Sequence, residues 1–128
     1  MVQDCPAVDH DDLARLLGAS RVAVGGSLLV VPGAATSWAG PAAAEPGVKM
    51  LARAAGIRDL LLGVLLLRAL DQGAPVRTLL QCGAVADGVD LVATLATFRH
   101  LPRRTRLAAV GAAAGAVLTG WTLSQSLE

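Results

Sequence analysis

The sequence predicts an all-α fold, a four-helix transmembrane bundle with short loops, and three observations predict it. Hydrophobic residues make up 54% of the chain and charged residues 16%, whereas a soluble domain carries about 25% charged residues. The apolar excess lies in Ala, Leu, Val and Gly rather than in aromatic residues, which is typical of closely packed membrane helices. Four long apolar runs contain small residues at helical rather than alternating spacing.

The chain begins with an acidic tail, residues 1–12, ahead of the single membrane domain predicted for residues 13–128. The tail contains four Asp residues but no Lys or Arg, so it does not resemble a secretory signal peptide. We expect the tail to be solvated. Asp11 or Asp12 is predicted to cap the first helix and to complement its dipole.

The first helix is predicted over residues 13–31, where Pro32 and Gly33 end it. A helix of this length spans about 28 Å, just enough to cross a bilayer. Arg21 would lie inside the membrane, so this is the weakest of the predicted spans. The alternative is an amphipathic helix lying at the interface.

A linker rich in Pro and Gly separates this helix from the second, predicted over residues 50–70. Trp38 in the linker and Trp121 in the last helix are predicted to anchor at the membrane interface, where a half-polar aromatic ring is favoured. The second helix ends at a polar turn, residues 71–75. The third helix, predicted over residues 76–98, is the clearest span.

The fourth helix is predicted over residues 107–127. The loop between the third helix and the fourth carries four Arg residues. By the positive-inside rule this loop faces the cytoplasm. Four spans then place both termini outside, which predicts a multi-pass protein of the plasma membrane. A net charge of +1 gives no strong attraction to nucleic acid.

Small and polar residues share one face of each predicted helix, as helices packed inside a bilayer require. On the third helix, Gly83, Asp87, Asp90, Thr94 and Thr97 fall on one stripe, and the opposite side is formed by Val85, Val89, Val92 and Ala96. The glycines predicted to let helices approach one another are Gly18, Gly25, Gly56, Gly63, Gly83, Gly111 and Gly115.

Five charged residues are predicted to lie in the interior: Arg21, Arg58, Asp59, Asp87 and Asp90. A lone charge at the bilayer centre costs about 2.5–3.5 kcal/mol, so these residues are expected to pair with one another. Asp87 and Asp90 lie three residues apart on one helix and are candidates to share a proton or one guanidinium group. The network either fixes the helices in register or binds and moves a proton or a small polar ligand.

Catalytic chemistry finds little support in the sequence. It contains no HExxH, P-loop or CxxC motif and no well-placed Ser/His/Asp set. Cys5 and Cys82 are too isolated for a metal site or a predicted disulfide. We therefore expect no metal and no cofactor, and an enzymatic function is not favoured.

Two segments resemble a family of small four-helix membrane proteins that are common in actinobacteria and loosely similar to the DoxX-like bundles. The segments are Gly56–Gly63, with the pattern G-x-R-D-L-x-x-G, and Ala86–Leu91, with the pattern A-D-x-x-D-L. The resemblance covers residues 21–98. It implies a four-helix bundle whose polar centre is formed by Arg58, Asp59, Asp87 and Asp90. Some DoxX-like proteins are accessory subunits of membrane redox systems.

The function predicted from the sequence is a structural or accessory component of the membrane, with the lipid bilayer as its surroundings. A homo-oligomer or a complex with another membrane protein is compatible with this prediction. The alternatives are a small proton-linked transporter that uses Asp87 and Asp90, and an accessory subunit of a membrane redox system. The last alternative rests on the resemblance alone.

Overall fold

The computed structural model describes residues 9–35, 44–96 and 103–126, and within these ranges the chain is helical, without strands. The predicted all-α class and the four main helices are confirmed. These helices are α1 (His10–Val30), α2 (Pro46–Asp71), α3 (Arg77–Ala96) and α4 (Arg103–Ser126), and a short 3-10 helix (Pro32–Ala35) follows α1.

The helix α1 begins earlier than predicted because the capping residue is Asp9. The Oδ1 atom of Asp9 accepts a hydrogen bond of 3.1 Å from the backbone N–H of Asp11. The prediction that Asp11 or Asp12 caps the helix is therefore wrong. Both residues lie in the first turn, where a negative charge complements the helix dipole.

The helix α2 begins inside the predicted linker, at Pro46, because the fixed φ angle of proline suits the first turn of a helix. It ends as predicted in the polar turn. Gly73 adopts φ 61°, and its N–H donates to the carbonyl of Leu70 while the N–H of Ala74 donates to that of Ala69. This pair of bonds is the Schellman motif, which favours glycine at the left-handed position.

The helix α4 begins at Arg103, so the last residues of the predicted basic loop are helical. Several residues singled out in the sequence lie outside the described ranges. They are the tail up to residue 8, with Cys5, and Trp38, Thr97, Phe98, Arg99 and His100.

The first two helices form an antiparallel hairpin whose backbones nearly touch. A Cβ atom built on Gly25 would lie 2.5 Å from the carbonyl oxygen of Gly56, and one built on Gly63 would lie 2.6 Å from that of Gly18. No side chain fits at such distances. The buried residues of α1 are Ala14, Gly18, Arg21 and Gly25. Their helical spacing in the sequence places all four on one face of the helix.

The last two helices form a second hairpin, and the contacts between the two hairpins are few. An apolar core joins them at one end of the bundle, where Ala14, Leu66, Val76, Leu80 and Leu123 pack together. Towards the other end, the described residues of the second hairpin are less buried. Among the described side chains, the buried residues of α3 end at Asp87 and those of α4 begin at Gly120.

Candidate functional site

The charged residues predicted for the interior meet at one level of the bundle. Arg21, Arg58, Asp59, Asp87 and Asp90 each lie near the middle of their helix. Hydrogen bonds connect all five into one chain, in the order Asp87, Arg21, Asp59, Arg58, Asp90. This chain of hydrogen bonds connects the first hairpin to the second at two places.

The inner crossing joins Arg21 on α1 to Asp87 on α3. Nη1 of Arg21 donates to Oδ1 of Asp87 at 3.3 Å, and Nη2 donates to Oδ2. Both side chains are 9% exposed. This two-pronged geometry is the strongest that a guanidinium group and a carboxylate form, because the planar fork of arginine matches both oxygens.

The middle of the chain is Asp59 on α2, which accepts bonds from both arginines. Its Oδ1 atom lies 3.1 Å from Nη1 of Arg21 and 3.2 Å from Nη2 of Arg58. One carboxylate thus lies between two positive charges. It prevents the two guanidinium groups from facing each other without a counter-ion.

The outer crossing joins Arg58 on α2 to Asp90 on α3, with 2.7 Å between Nη2 and Oδ2. This pair is more accessible than the inner one, since 32% of the Arg58 side chain and 49% of the Asp90 side chain are exposed. The network therefore runs from a buried pair to a half-exposed pair.

Gly83 on α3 makes room for the inner pair. A Cβ atom built on Gly83 would lie 3.1 Å from Nη2 of Arg21, closer than ordinary van der Waals contact. Gly83 therefore lies against an arginine side chain, whereas Gly25, Gly56 and Gly63 lie where the backbones of α1 and α2 approach each other closely.

A cavity of about 450 Å³ contains the whole network. Besides the five charged residues, α1 contributes Leu17, Ser20 and Val24 to its wall. Among the described side chains, the helix α4 contributes Ala112, Ala113 and Ala116 to this wall. The size falls within the range of small-molecule sites, about 300–1,000 Å³.

The pairing within the network differs from one possibility raised by the sequence. Asp87 and Asp90 do not clamp a single guanidinium group; each binds a different arginine. A further exposed pair, not predicted from the sequence, joins Arg15 and Asp71, whose Nη1 and Oδ1 atoms are 2.5 Å apart. Arg15 lies near the start of α1 and Asp71 at the end of α2. These two positions lie side by side in an antiparallel hairpin, so their opposite charges were the signal for this pair in the sequence.

The prediction for α4 needs correction. Gly111 and Gly115 are exposed, and a Cβ atom on either would meet no described atom within 4 Å. The close contact of α4 is instead at Gly120, where a Cβ atom would lie 3.4 Å from that of Ala84. Trp121 is 52% exposed.

Other chemistry receives no support from the described part of the chain. No group of three or more His, Cys, Asp or Glu side chains there is arranged to hold a metal ion. Cys82 is a free, exposed thiol. The buried hydroxyl of Ser124 donates to the carbonyl of Trp121 in its own helix at 2.7 Å, which makes it a satisfied structural residue.

Among the described helices, α1 is the one whose length and composition suffice to cross a membrane, with a mean hydropathy of 1.4. This result concerns the described residues only, so it does not compare α1 with the predicted third span, part of which lies outside them. Comparison with protein-family models, curated proteins and solved structures finds no match.

Proposed function

We propose that this protein is a four-span integral membrane protein in which the Arg/Asp network locks two helical hairpins together, as a structural or accessory component of the membrane. The observation that carries the proposal is the closed network at mid-length of the bundle. Each of its charges has an opposite charge as a partner, and among the described residues no buried side-chain nitrogen or oxygen lacks a hydrogen bond.

The distribution of apolar side chains supports a lipid environment. Exposed large apolar residues outnumber the buried ones in the described part of the chain. On α3, Val85, Val89 and Val92 are 62%, 63% and 66% exposed, opposite the buried Asp87. Water would penalise such a surface, whereas lipid favours it.

The lengths of the helices support four spans. The shortest, α3, has 20 residues and the longest, α2, has 26, and about 20 residues cross the hydrocarbon core. Hydropathy scores every charged residue as though it were unpaired. Pairing of Arg58, Asp59, Asp87 and Asp90 lowers the cost of placing α2 and α3 in lipid.

Fractionation of cells that express the full-length chain tests the membrane setting. We expect the protein to stay with the membranes after washing at alkaline pH and to be released only by detergent. Recovery in the soluble fraction without detergent would contradict the proposal. A soluble protein and a known multi-pass protein expressed in the same cells calibrate the two fractions.

The proposed topology places the basic loop before α4 in the cytoplasm and both termini outside. Reporter fusions at the C-terminus and within residues 99–106 test it. We expect a periplasmic reporter to be active only at the C-terminus. An N-terminus found in the cytoplasm, with the C-terminus outside, would indicate that α1 lies on the surface instead of crossing.

A second candidate function is a small proton-linked transporter, and the cavity around the network favours it. Asp90 is half exposed at this cavity, and Asp87 is buried behind it. If the network moves protons, Asp90→Asn leaves the amount of folded protein in membranes unchanged and abolishes a pH-dependent flux. If the network is only structural, the variant changes stability and no flux depends on it.

A further inference from the structure

A surface groove lies beside the turn that joins α2 to α3. This turn groove has a volume of about 400 Å³, which falls within the range of small-molecule sites. The described residues that line it include Leu65, Arg68 and Gln72 on the α2 side, Ala74 of the turn and Leu79 of α3. The residues of the Arg/Asp network line the central cavity instead.

The turn groove opens on the side of α2 that faces away from α1. Leu65, Arg68 and Gln72 follow one another at intervals of three and four residues, so they share one face of the helix. Gly63, which packs against α1, precedes Leu65 by two residues, and two residues of a helix turn through about 200°. The groove therefore belongs to the outer surface of the first hairpin.

The polar and the apolar side chains of the groove lie at different levels along α2. Arg68 lies in the last turn of the helix and Gln72 is its C-cap. Leu65 lies about 4.5 Å farther from that end and is 49% exposed. In the proposed membrane setting, Arg68 and Gln72 reach the headgroups, because a long arginine side chain extends towards water, and Leu65 borders the hydrocarbon.

Arg68 is an exposed cation with unused N–H donors. No described residue forms an ion pair or a side-chain hydrogen bond with it. Asp71, the nearest acid in the sequence, binds Arg15 of α1 instead, at 2.5 Å. The helix dipole favours a positive charge at the position of Arg68 but does not engage the donors of its guanidinium group. Phosphate oxygens match these donors in charge and in geometry.

We propose that the turn groove binds a phospholipid whose headgroup carries a net negative charge, with Arg68 as the ligand of its phosphate group. Gln72 donates its amide N–H groups to oxygens of the headgroup, and an acyl chain lies along Leu65 and Leu79. A zwitterionic lipid brings its own cation beside the phosphate, and this cation competes with Arg68, so the anionic lipid is preferred. The inference goes beyond the role of the Arg/Asp network and rests on the proposed membrane setting for the nature of the ligand.

Lipid binding to the purified full-length protein in detergent, measured by native mass spectrometry, tests the proposal. Phosphatidylglycerol and phosphatidylcholine with identical acyl chains are the matched probes. We expect saturable binding of phosphatidylglycerol, with a preference of at least about tenfold, the scale of one charge-assisted contact. Equal binding of the two lipids, or binding of neither, would overturn the proposal.

Glycerol 3-phosphate distinguishes a lipid from a free phosphate compound as the ligand. It carries the phosphate and the glycerol without the acyl chains, so we expect it not to displace phosphatidylglycerol. Full displacement at matched concentrations would assign the groove to a soluble phosphate compound and overturn the proposed lipid.

Two exposed arginines of α2 locate the site. Arg68→Gln is expected to weaken the binding of phosphatidylglycerol by at least about tenfold. Arg53→Gln removes the same charge from an exposed position on the same helix, outside the turn groove, and is expected to leave binding unchanged. Equal effects of the two variants would overturn the proposal.

Ala74→Glu tests the same groove without removing Arg68. Ala74 is exposed and lines the groove, so a glutamate there adds a negative charge that repels a phosphate group. We expect the folded variant to bind phosphatidylglycerol more weakly, and unchanged binding would overturn the location. A missing lipid preference leaves the fractionation result untouched, whereas recovery of the chain without detergent contradicts the membrane setting whatever the lipids show.

Discussion

Arg21 on α1 and Asp87 on α3 form a two-pronged ion pair that joins the two helical hairpins at mid-length of the bundle. Each side chain is 9% exposed, so water does little to screen the interaction. Because few contacts connect the two hairpins, the pair should contribute strongly to the stability of the bundle.

Asp87→Asn is expected to lower the free energy of unfolding by about 3 kcal/mol. Removing one member of a buried pair costs about 3–5 kcal/mol because the other charge is left buried, and Asp59 still binds Arg21, which places the loss at the lower end. Chemical or thermal unfolding in detergent measures it. The double variant Asp87→Asn with Arg21→Gln should lose less than the sum of the single variants. Purely additive losses would contradict the pairing.

Asp90→Asn is expected to cost less, about 1 kcal/mol, because its side chain and that of Arg58 are partly solvated. The same unfolding assay applies. Asp71→Asn is the matched control: its pair with Arg15 is exposed on both sides, so we expect no measurable change. A loss for Asp90→Asn as large as that for Asp87→Asn would show that the outer pair is as important to folding as the inner one.

Gly25→Ala is expected to destabilise the first hairpin by about 2 kcal/mol or more, the scale of overpacking. The new methyl group would lie 2.5 Å from backbone atoms of Gly56 and Leu60, which cannot move aside as a side chain can. Gly26→Ala is the control, since a Cβ atom there meets nothing within 4 Å. That variant should gain about 0.5–1 kcal/mol because alanine favours the helix. A tolerated Gly25→Ala would mean that α1 and α2 lie farther apart.

Gly73→Ala is expected to lower the free energy of unfolding by about 1 kcal/mol, since its φ of 61° is left-handed. Gly73→Asn should lose less, because asparagine tolerates this conformation better than alanine. Comparison of the two variants in one unfolding assay separates backbone strain from a general sensitivity of the turn. Equal losses would argue against strain as the cause.

The helical class and the inward-facing residues of α1 and α3 were predictable from the sequence alone. The stripe of small residues with Arg21 on α1 is buried, and Val85, Val89 and Val92 are exposed opposite Asp87. These features follow from the period of the helix, which is a local property. The five interior charges were predictable as a set for a similar reason, because isolated charges in an apolar segment must find partners.

The choice of partner for each arginine, and the point at which α4 makes its contact, depend on how the helices pack together. Asp87 binds Arg21 and Asp90 binds Arg58 because of how far the helices are shifted along one another, and no residue encodes that shift on its own. In the same way, α4 packs through Gly120 rather than through Gly111 or Gly115. All three glycines lie on the same helix. Gly120 makes the contact because the two hairpins pack against each other at the apolar end of the bundle.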